Sequence, residues 1–512
     1  MLLTEGQYRA ICAACDRVLL RPDSNMERVC IPWLHVIREH PVFLSNYVDL
    51  FDRKTGKNDV FYTWSQVLRR KAGWFKPFLK LPREKIQPWF GGSDLPTRVD
   101  VLFVSHLLNP SHIGNEEDFY FGRLPHEMVA RGYSVVIALI NQTGINVASF
   151  AGKWYKNPVP RTIFSSTLRF SEEEGIHRRL KMESLRLTEL AREEKEGFLR
   201  RVLLRAAKEA LTSGACFSMR MALQIRWLCA RLGAKAIIVT HEGHAWERVA
   251  FAAARKQNPG IRCIGYQHAA LFRLQHAIRR KLSNEYNPDS ILTAGSVSKA
   301  QLENSVDLDG IPITVLGSNR TFNGSGVKPG NTRKIPDDSR CLVIPEGIPS
   351  ECHILFEFSL ECAHALPDVQ FIWRLHPILS YDSLSDQNPR LRNLPVNILL
   401  SAETLEIDIV RCRWALYRGT TAIVQGVMGG LMPIYLELPG EMTIDPLYEL
   451  QDCRESVKSC TDFVEIIKTH HRPFPVVAGN RTAKHYCSEF FKPLDARVLE
   501  AALCVRHLPH CR

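Results

Sequence analysis

Several stretches of the chain are apolar at every position for the length of one strand and then turn abruptly polar, the pattern of strands covered on both faces of a sheet. VDVLFVSHLL (99–108) is one of them. A polar loop follows (109–118), then the amphipathic FYFGRLPHEMVARGY (119–133), whose Gly132 closes a helix, and SVVIALI (134–140) begins a second apolar run. Strand, loop, helix, glycine and strand make one βαβ unit of a parallel sheet. The pattern resumes with AKAIIVT (234–240), the helix HAWERVAFAAARKQ (244–257), IRCIGYQHA (261–269) and DSILTAGSVSKAQL (289–302). Between the two runs, residues 171–232 keep a helical period with many charges, which predicts a solvated helical insertion packed by its leucines in preference to a helix lying on a membrane. Residues 1–95 also read as mainly helical, with IPWLHVI (31–37) and WFKPFLKL (74–81) as apolar pieces, and no function is assigned to them.

Around 310–339 the chain is rich in Gly, Asn, Pro and Ser and reads as a linker. A second series follows: RCLVIPEG (340–347), the helix ECHILFEFSLECAHAL (351–366), VQFIWRLHP (369–377), VNILLS (396–401), CRWALYRG (412–419), a short helix through Val427, and LMPIYLEL (431–438). The predicted fold class is α/β: two Rossmann-like doubly wound domains, 96–309 and 340–480, facing each other across a cleft. A helical N-terminal extension (1–95), the insertion at about 171–232, the linker and a C-terminal helix (481–512) complete it.

Candidate chemistry sits at strand ends, where doubly wound sheets bind their ligands. In FIWRLHPILS (371–380), Arg374, His376 and Pro377 lie just past an apolar strand, and Pro377 restricts the conformation of His376. In YRGTTAIVQGVMGG (417–430) a strand ends at Gly419, Thr420 and Thr421 follow, and a helix starts, so free backbone N–H groups and two hydroxyls face an anion: a phosphate site without a Walker lysine. In VTHEGHAWERVAF (239–251), His241, Glu242, His244 and Glu247 gather between a strand and the first turn of a helix. A carboxylate there, opposite a phosphate site, suits a general base that deprotonates a hydroxyl while the phosphate leaves. HEGH resembles a fragment of a metal motif, but its histidines are three apart and not four, so a metal ranks well below the base role and none is expected. Glu346 and Gly347 in IPEGIPSE (344–351), and Gln267 and His268 at the end of IRCIGYQHA, are further binding candidates. Each feature alone has an ordinary explanation, such as a hydrogen-bonded surface histidine, a capping threonine or a carboxylate at a helix N-terminus. Their joint occurrence at strand ends of both domains favours a site.

A net charge of +12 favours a polyanionic neighbour: nucleic acid, an anionic membrane face or a phosphorylated substrate. The aromatic residues do not alternate with Lys and Arg as on a base-stacking platform, and the basic residues are dispersed, so no nucleic-acid partner is expected. The 15 cysteines show no zinc spacing, and CAAC (12–15) lies in a helix-like stretch, so the thiols read as reduced and cytosolic. MLLTEGQYRA lacks a basic flank with a long apolar core, and no window approaches the roughly 18 apolar residues of a membrane span. A cytoplasmic protein is expected.

Glu242-Gly243, His376-Pro377 and Thr420-Thr421 resemble, in order and placement, the motifs of bacterial glycosyltransferases of GT-B fold that use CMP-activated sugars, the group that includes sialyltransferases and capsule Kdo transferases. The likeness covers roughly residues 97–475 and is greatest to surface-carbohydrate (capsule, O-antigen and lipopolysaccharide) biosynthesis proteins. It implies a GT-B-like, metal-independent, inverting transferase with no cofactor beyond its nucleotide-sugar donor. The acceptor would be a glycan or lipid-linked molecule, and the enzyme would act at the inner, anionic face of the cell membrane. By the same resemblance Glu242 is the base, His376 contacts or protonates the departing CMP phosphate, Thr420 and Thr421 bind that phosphate, and IPEG resembles a nucleotide-contacting loop. His241 stands where the family has its first acidic residue, which leaves Glu242 to act alone or with a histidine partner. A nucleotide-sugar 2-epimerase, a glycerophosphate transferase and a non-catalytic basic binding protein are the alternatives.

Overall fold

The computed structural model describes residues 2–51, 96–146, 149, 159–321, 339–469 and 478–504. Two parallel sheets organise them. The first contains β1 (Val101–Leu107), β2 (Val135–Asn141), β3 (Arg161–Ile163), β4 (Ala236–Thr240), β5 (Arg262–Gln267), β6 (Ser290–Thr293) and β7 (Ile313–Val315), in the order β3-β2-β1-β4-β5-β6-β7. The second contains β8 (Arg340–Ile344), β9 (Gln370–Trp373), β10 (Ile398–Leu400), β11 (Trp414–Tyr417), β12 (Met432–Leu436) and β13 (Glu455–Val457), in the order β10-β9-β8-β11-β12-β13. The α/β class with two doubly wound domains is as predicted. Helices on both faces bury β1, β2 and β4 almost completely, which is why these strands are apolar without alternation.

In each sheet the chain begins in the middle, winds to one edge and returns to the other side of its first strand. The order therefore reverses between β1 and β4 in one domain and between β8 and β11 in the other. Loops leaving the two strands at such a reversal diverge and open a crevice at their carboxyl ends.

The segment predicted as one helical insertion divides in two. Ser213–Leu232 is the crossover helix of the first sheet: Met221, Ile225, Leu228 and Leu232 pack with Leu102, Val104, Ile237 and Val239. Phe170–Glu193 and Gly197–Glu209 instead join the N-terminal helix Glu5–Leu19, so that Leu180, Leu187, Val202 and Leu203 share one core with Tyr8, Ile11, Cys15 and Val18. The predicted linker starts later than its composition suggests, because residues 313–315 form β7; residues 322–338, 52–95 with WFKPFLKL, and 505–512 lie outside the described residues. Helix Ala478–Ser488 packs on the second domain through Cys487, and helix Ala496–Cys504 then crosses to the first, where Leu499 joins Phe121 and Leu124 and Arg131 pairs with Glu500 at 2.6 Å. No helix among the described residues is long and apolar enough to cross a membrane.

Candidate active site

The turn after β4 is wound around a carboxylate. Glu247, in the first turn of helix Ala245–Gln257, accepts hydrogen bonds from the backbone N–H groups of Glu242 (2.8 Å), Gly243 (2.7 Å) and His244 (2.9 Å). Those donors are spent within the chain, so this turn is not an anion site. Gly243 holds φ at +89°, and a Cβ there would lie 2.4 Å from the Ala277 carbonyl carbon, so only glycine fits. His241 is fully buried against Gly265 and Phe251, with Nδ1 3.2 Å from Glu247. It supports the turn from beneath and does not reach the cleft. Burial lowers its pKa, with the Glu247 carboxylate opposing.

The turn aims Glu242 into the cleft, half-buried, with its carboxylate 3.4 Å from His244 Nε2. Burial alone would raise the Glu242 pKa, but the His244 contact and the fields of His268 and Arg38 outweigh it and hold the carboxyl well below the usual range. For His244 burial lowers and the Glu242 contact raises, and the net is upward. Around the pair stands an aromatic wall. The His268 ring lies edge-on to Tyr120 at 4.2 Å, His106 approaches Tyr120 at 5.6 Å, and His106 Nε2 is 3.2 Å from the Thr240 hydroxyl. Burial brings both histidines down to about 4 and Tyr120 up to about 12. Gln267, beside His268, is buried and donates to the Ala269 carbonyl.

Across the cleft, the loops after β8, β9 and β11 converge. Gly419 takes φ +68° against the Glu346 carboxylate, Thr420 is buried, and Thr421 opens helix Ala422–Gly429 without its own side chain capping it. The Ala422 N–H goes to the Thr420 hydroxyl at 3.4 Å and the Val424 N–H to the Thr421 carbonyl at 3.2 Å, so among the described residues the Ile423 N–H and the Thr421 hydroxyl are left for a ligand. His376 packs on Gly347, where a Cβ would come within 2.9 Å of Nδ1, and that nitrogen accepts from Ile378 N–H at 3.4 Å. Burial first, then the Arg320 charge, lower the His376 pKa, with Glu346 opposing. A neutral imidazole whose Nδ1 accepts carries its proton on Nε2, so His376 offers an Nε2–H donor. Pro377 is exposed, and its carbonyl receives Asn109 Nδ2 from the loop after β1 at 3.5 Å, a contact between the domains.

Two expected binding side chains are committed elsewhere. Arg374 bonds to Asp408 (2.8 Å) and to the Glu403 carbonyl (2.7 Å), because the buried Asp408 needs a cation. Glu346 accepts from His40 Nε2 and lies 3.6 Å from Arg38, both in the N-terminal segment. His40, Glu346 and Glu351 are the one group among the described residues close enough to share a metal ion. Their chemistry does not fit one: His40 Nδ1 accepts the Val42 N–H at 3.2 Å, which puts the proton on Nε2, and Glu351 is paired with Arg418 at 2.6 Å. Arg38, His40, His106, Tyr120 and Arg320 are cleft residues that the sequence reading missed. A signal existed for one of them, since His40-Pro41 repeats the dipeptide of His376-Pro377.

No family model and no curated protein matches the chain. Solved structures that overlay it include the glycosyltransferase SnogD from Streptomyces nogalater (13% identity, TM-score 0.46, covering 79% of this chain and 100% of that one). The UDP-GlcNAc 2-epimerase from Neisseria meningitidis bound to UDP-GlcNAc overlays with 13% identity and a TM-score of 0.45, covering 79% and 99%. MurG from Acinetobacter baumannii overlays with 11% identity and a TM-score of 0.43, again covering 79% and 99%. At these scores the likeness is one of outline, and no residue's role is taken from it.

Proposed function

We propose that the protein is a metal-independent, inverting glycosyltransferase. It moves a sugar from a nucleotide donor, CMP-linked and of the Kdo or sialic-acid kind, to a surface-glycan or lipid-linked acceptor. The observation that supports this most is the pairing of the two sheet reversals: an ionised carboxylate, Glu242, projects from one crevice, and the helix start at Thr421, with its free hydroxyl, lies at the other, where His376 packs on Gly347 of the neighbouring loop. The acceptor oxygen attacks the anomeric carbon as its proton passes to Glu242, and the sugar–phosphate bond breaks with its electron pair leaving on CMP. The Ile423 N–H, the Thr421 hydroxyl and His376 Nε2–H stabilise that charge where it develops. A carboxylate held as low as Glu242 is a weak base; an acceptor hydroxyl that displaces His244 removes part of what lowers it and raises its proton affinity at the step that needs it.

The test is transfer from CMP-sugar to a lipid-linked acceptor in vesicles. Glu242→Gln and His376→Ala should each lower turnover by roughly a hundred- to ten-thousand-fold with the fold intact. Charge-driven docking at the membrane predicts faster turnover on anionic than on neutral vesicles, with the difference lost at high salt. Conversion of free nucleotide sugar without any acceptor would replace transfer by epimerisation, and unchanged turnover in both variants would remove the site.

A further inference from the structure

We infer that Arg320 is a substrate-binding residue of this site, whose guanidinium takes an oxyanion of the donor, either a phosphate oxygen or a sugar carboxylate; the inference rests on the transferase reading above. The residue stands where the chain passes between the domains. Its carbonyl accepts Gln425 Nε2 at 3.3 Å, from the helix that Thr421 opens, which fixes its backbone beside the anion crevice of the second domain. Its N–H is held by the Ser318 hydroxyl at 3.1 Å. The guanidinium reaches the other way, to 5.9 Å from the Phe119 ring and 6.0 Å from the Tyr120 ring, on the aromatic wall that surrounds Glu242. One residue thus touches both walls of the cleft.

What marks it out is that its charge is unspent. Among the described residues, no carboxylate or carbonyl contacts the Arg320 side chain. The arginines elsewhere near the cleft are engaged: Arg374 with Asp408, Arg418 with Glu351 and Glu441, Arg280 with Asp16, Arg38 with Glu346. A half-buried guanidinium without a counter-ion is costly unless a ligand supplies one, and the approach to the rings spends none of its N–H groups. Its field also acts on groups of both domains. Burial is the main cause of the lowered His376 and His268 pKa values, and the Arg320 charge adds to it in each. With both rings neutral, Arg320 is a permanent cation between the two walls of the cleft. A flat, forked donor that can bind an oxyanion through two N–H groups at once has no equivalent in lysine.

The experiment compares wild type, Arg320→Gln and Arg320→Lys by titration with CMP and, separately, with N-acetylneuraminate as a free acidic sugar, with melting temperature as the control. Arg320→Gln should weaken CMP roughly ten- to a hundred-fold if the oxyanion is phosphate, or weaken the acidic sugar alone if it is the carboxylate, and Arg320→Lys should restore little of either. Equal affinities of wild type and Arg320→Gln for both probes would overturn the inference while leaving the transferase reading in place. Failure of the wild type to bind either probe would remove that reading and the inference with it. In ligand-free protein, Arg320→Gln should also move the titration of the His376 imidazole upward, and a ring that titrates unchanged would contradict the placement of Arg320.

Discussion

Two of the imidazoles around Glu242 are kept neutral by their surroundings, which has a consequence for stability. His106 and His268 titrate at about 4 in the folded protein, against an ordinary value of 6.5, because both are buried. The unfolded chain takes up these protons below pH 6.5, so between about pH 6.5 and 4 it binds more protons than the folded one and stability falls as pH falls. Below about 4 both states are protonated and this contribution stops growing. The melting temperature of the wild type should decline across that window, and His268→Asn should show a shallower decline; equal slopes would mean that His268 is not held neutral. At this scale the sequence revealed residues that act through backbone position and hid those that act through distant partners. Glu242, Thr420 and Thr421 were legible because strand, turn and helix signals place them. The ion pair of Arg374 had no local signal because its partner, Asp408, lies 34 positions away. Arg38 and Arg320 carry no local signal at all.

The elements that position the site are short turns with fixed backbone shapes, and Gly243 is the most constrained of them. Alanine at that position would have to hold φ at +89° and push its methyl into the Ala277 carbonyl, so Gly243→Ala should cost roughly 2 kcal/mol or more and shift Glu242 out of line. Chemical denaturation measures the first effect and transfer activity per folded molecule the second; a variant as stable and active as wild type would contradict this account of the turn. The central strands β1, β2, β4, β8 and β11 were readable because both faces are covered and nearly all their positions are apolar. β3, β7 and β13 were not, since each is a three-residue edge strand that includes a polar residue (RTI, ITV, ESV), whereas the equally short edge strand β10 is wholly apolar (ILL). The helix Ser213–Leu232 was absorbed into the insertion because charged helices precede it without a break in period.

At the scale of the whole molecule, the N-terminal segment links the two domains. Its helix shares a core with the hairpin of residues 170–209, and from that body Arg38 and His40 reach Glu346 in the second domain. That connection was invisible in a segment with no assigned function, whereas the two-domain plan was read from two successive series of strands and helices. The central claim is that the two sheet reversals form one site for a nucleotide donor. Calorimetric titration of CMP into wild type, Glu242→Gln and the double variant Thr420→Val, Thr421→Val tests it most directly. Loss of hydroxyl contacts to a charged phosphate should weaken CMP by roughly ten- to a hundred-fold in the double variant, while Glu242→Gln, which faces the acceptor, should bind as wild type does. CMP that fails to bind the wild type, or binds the double variant as tightly, would contradict it.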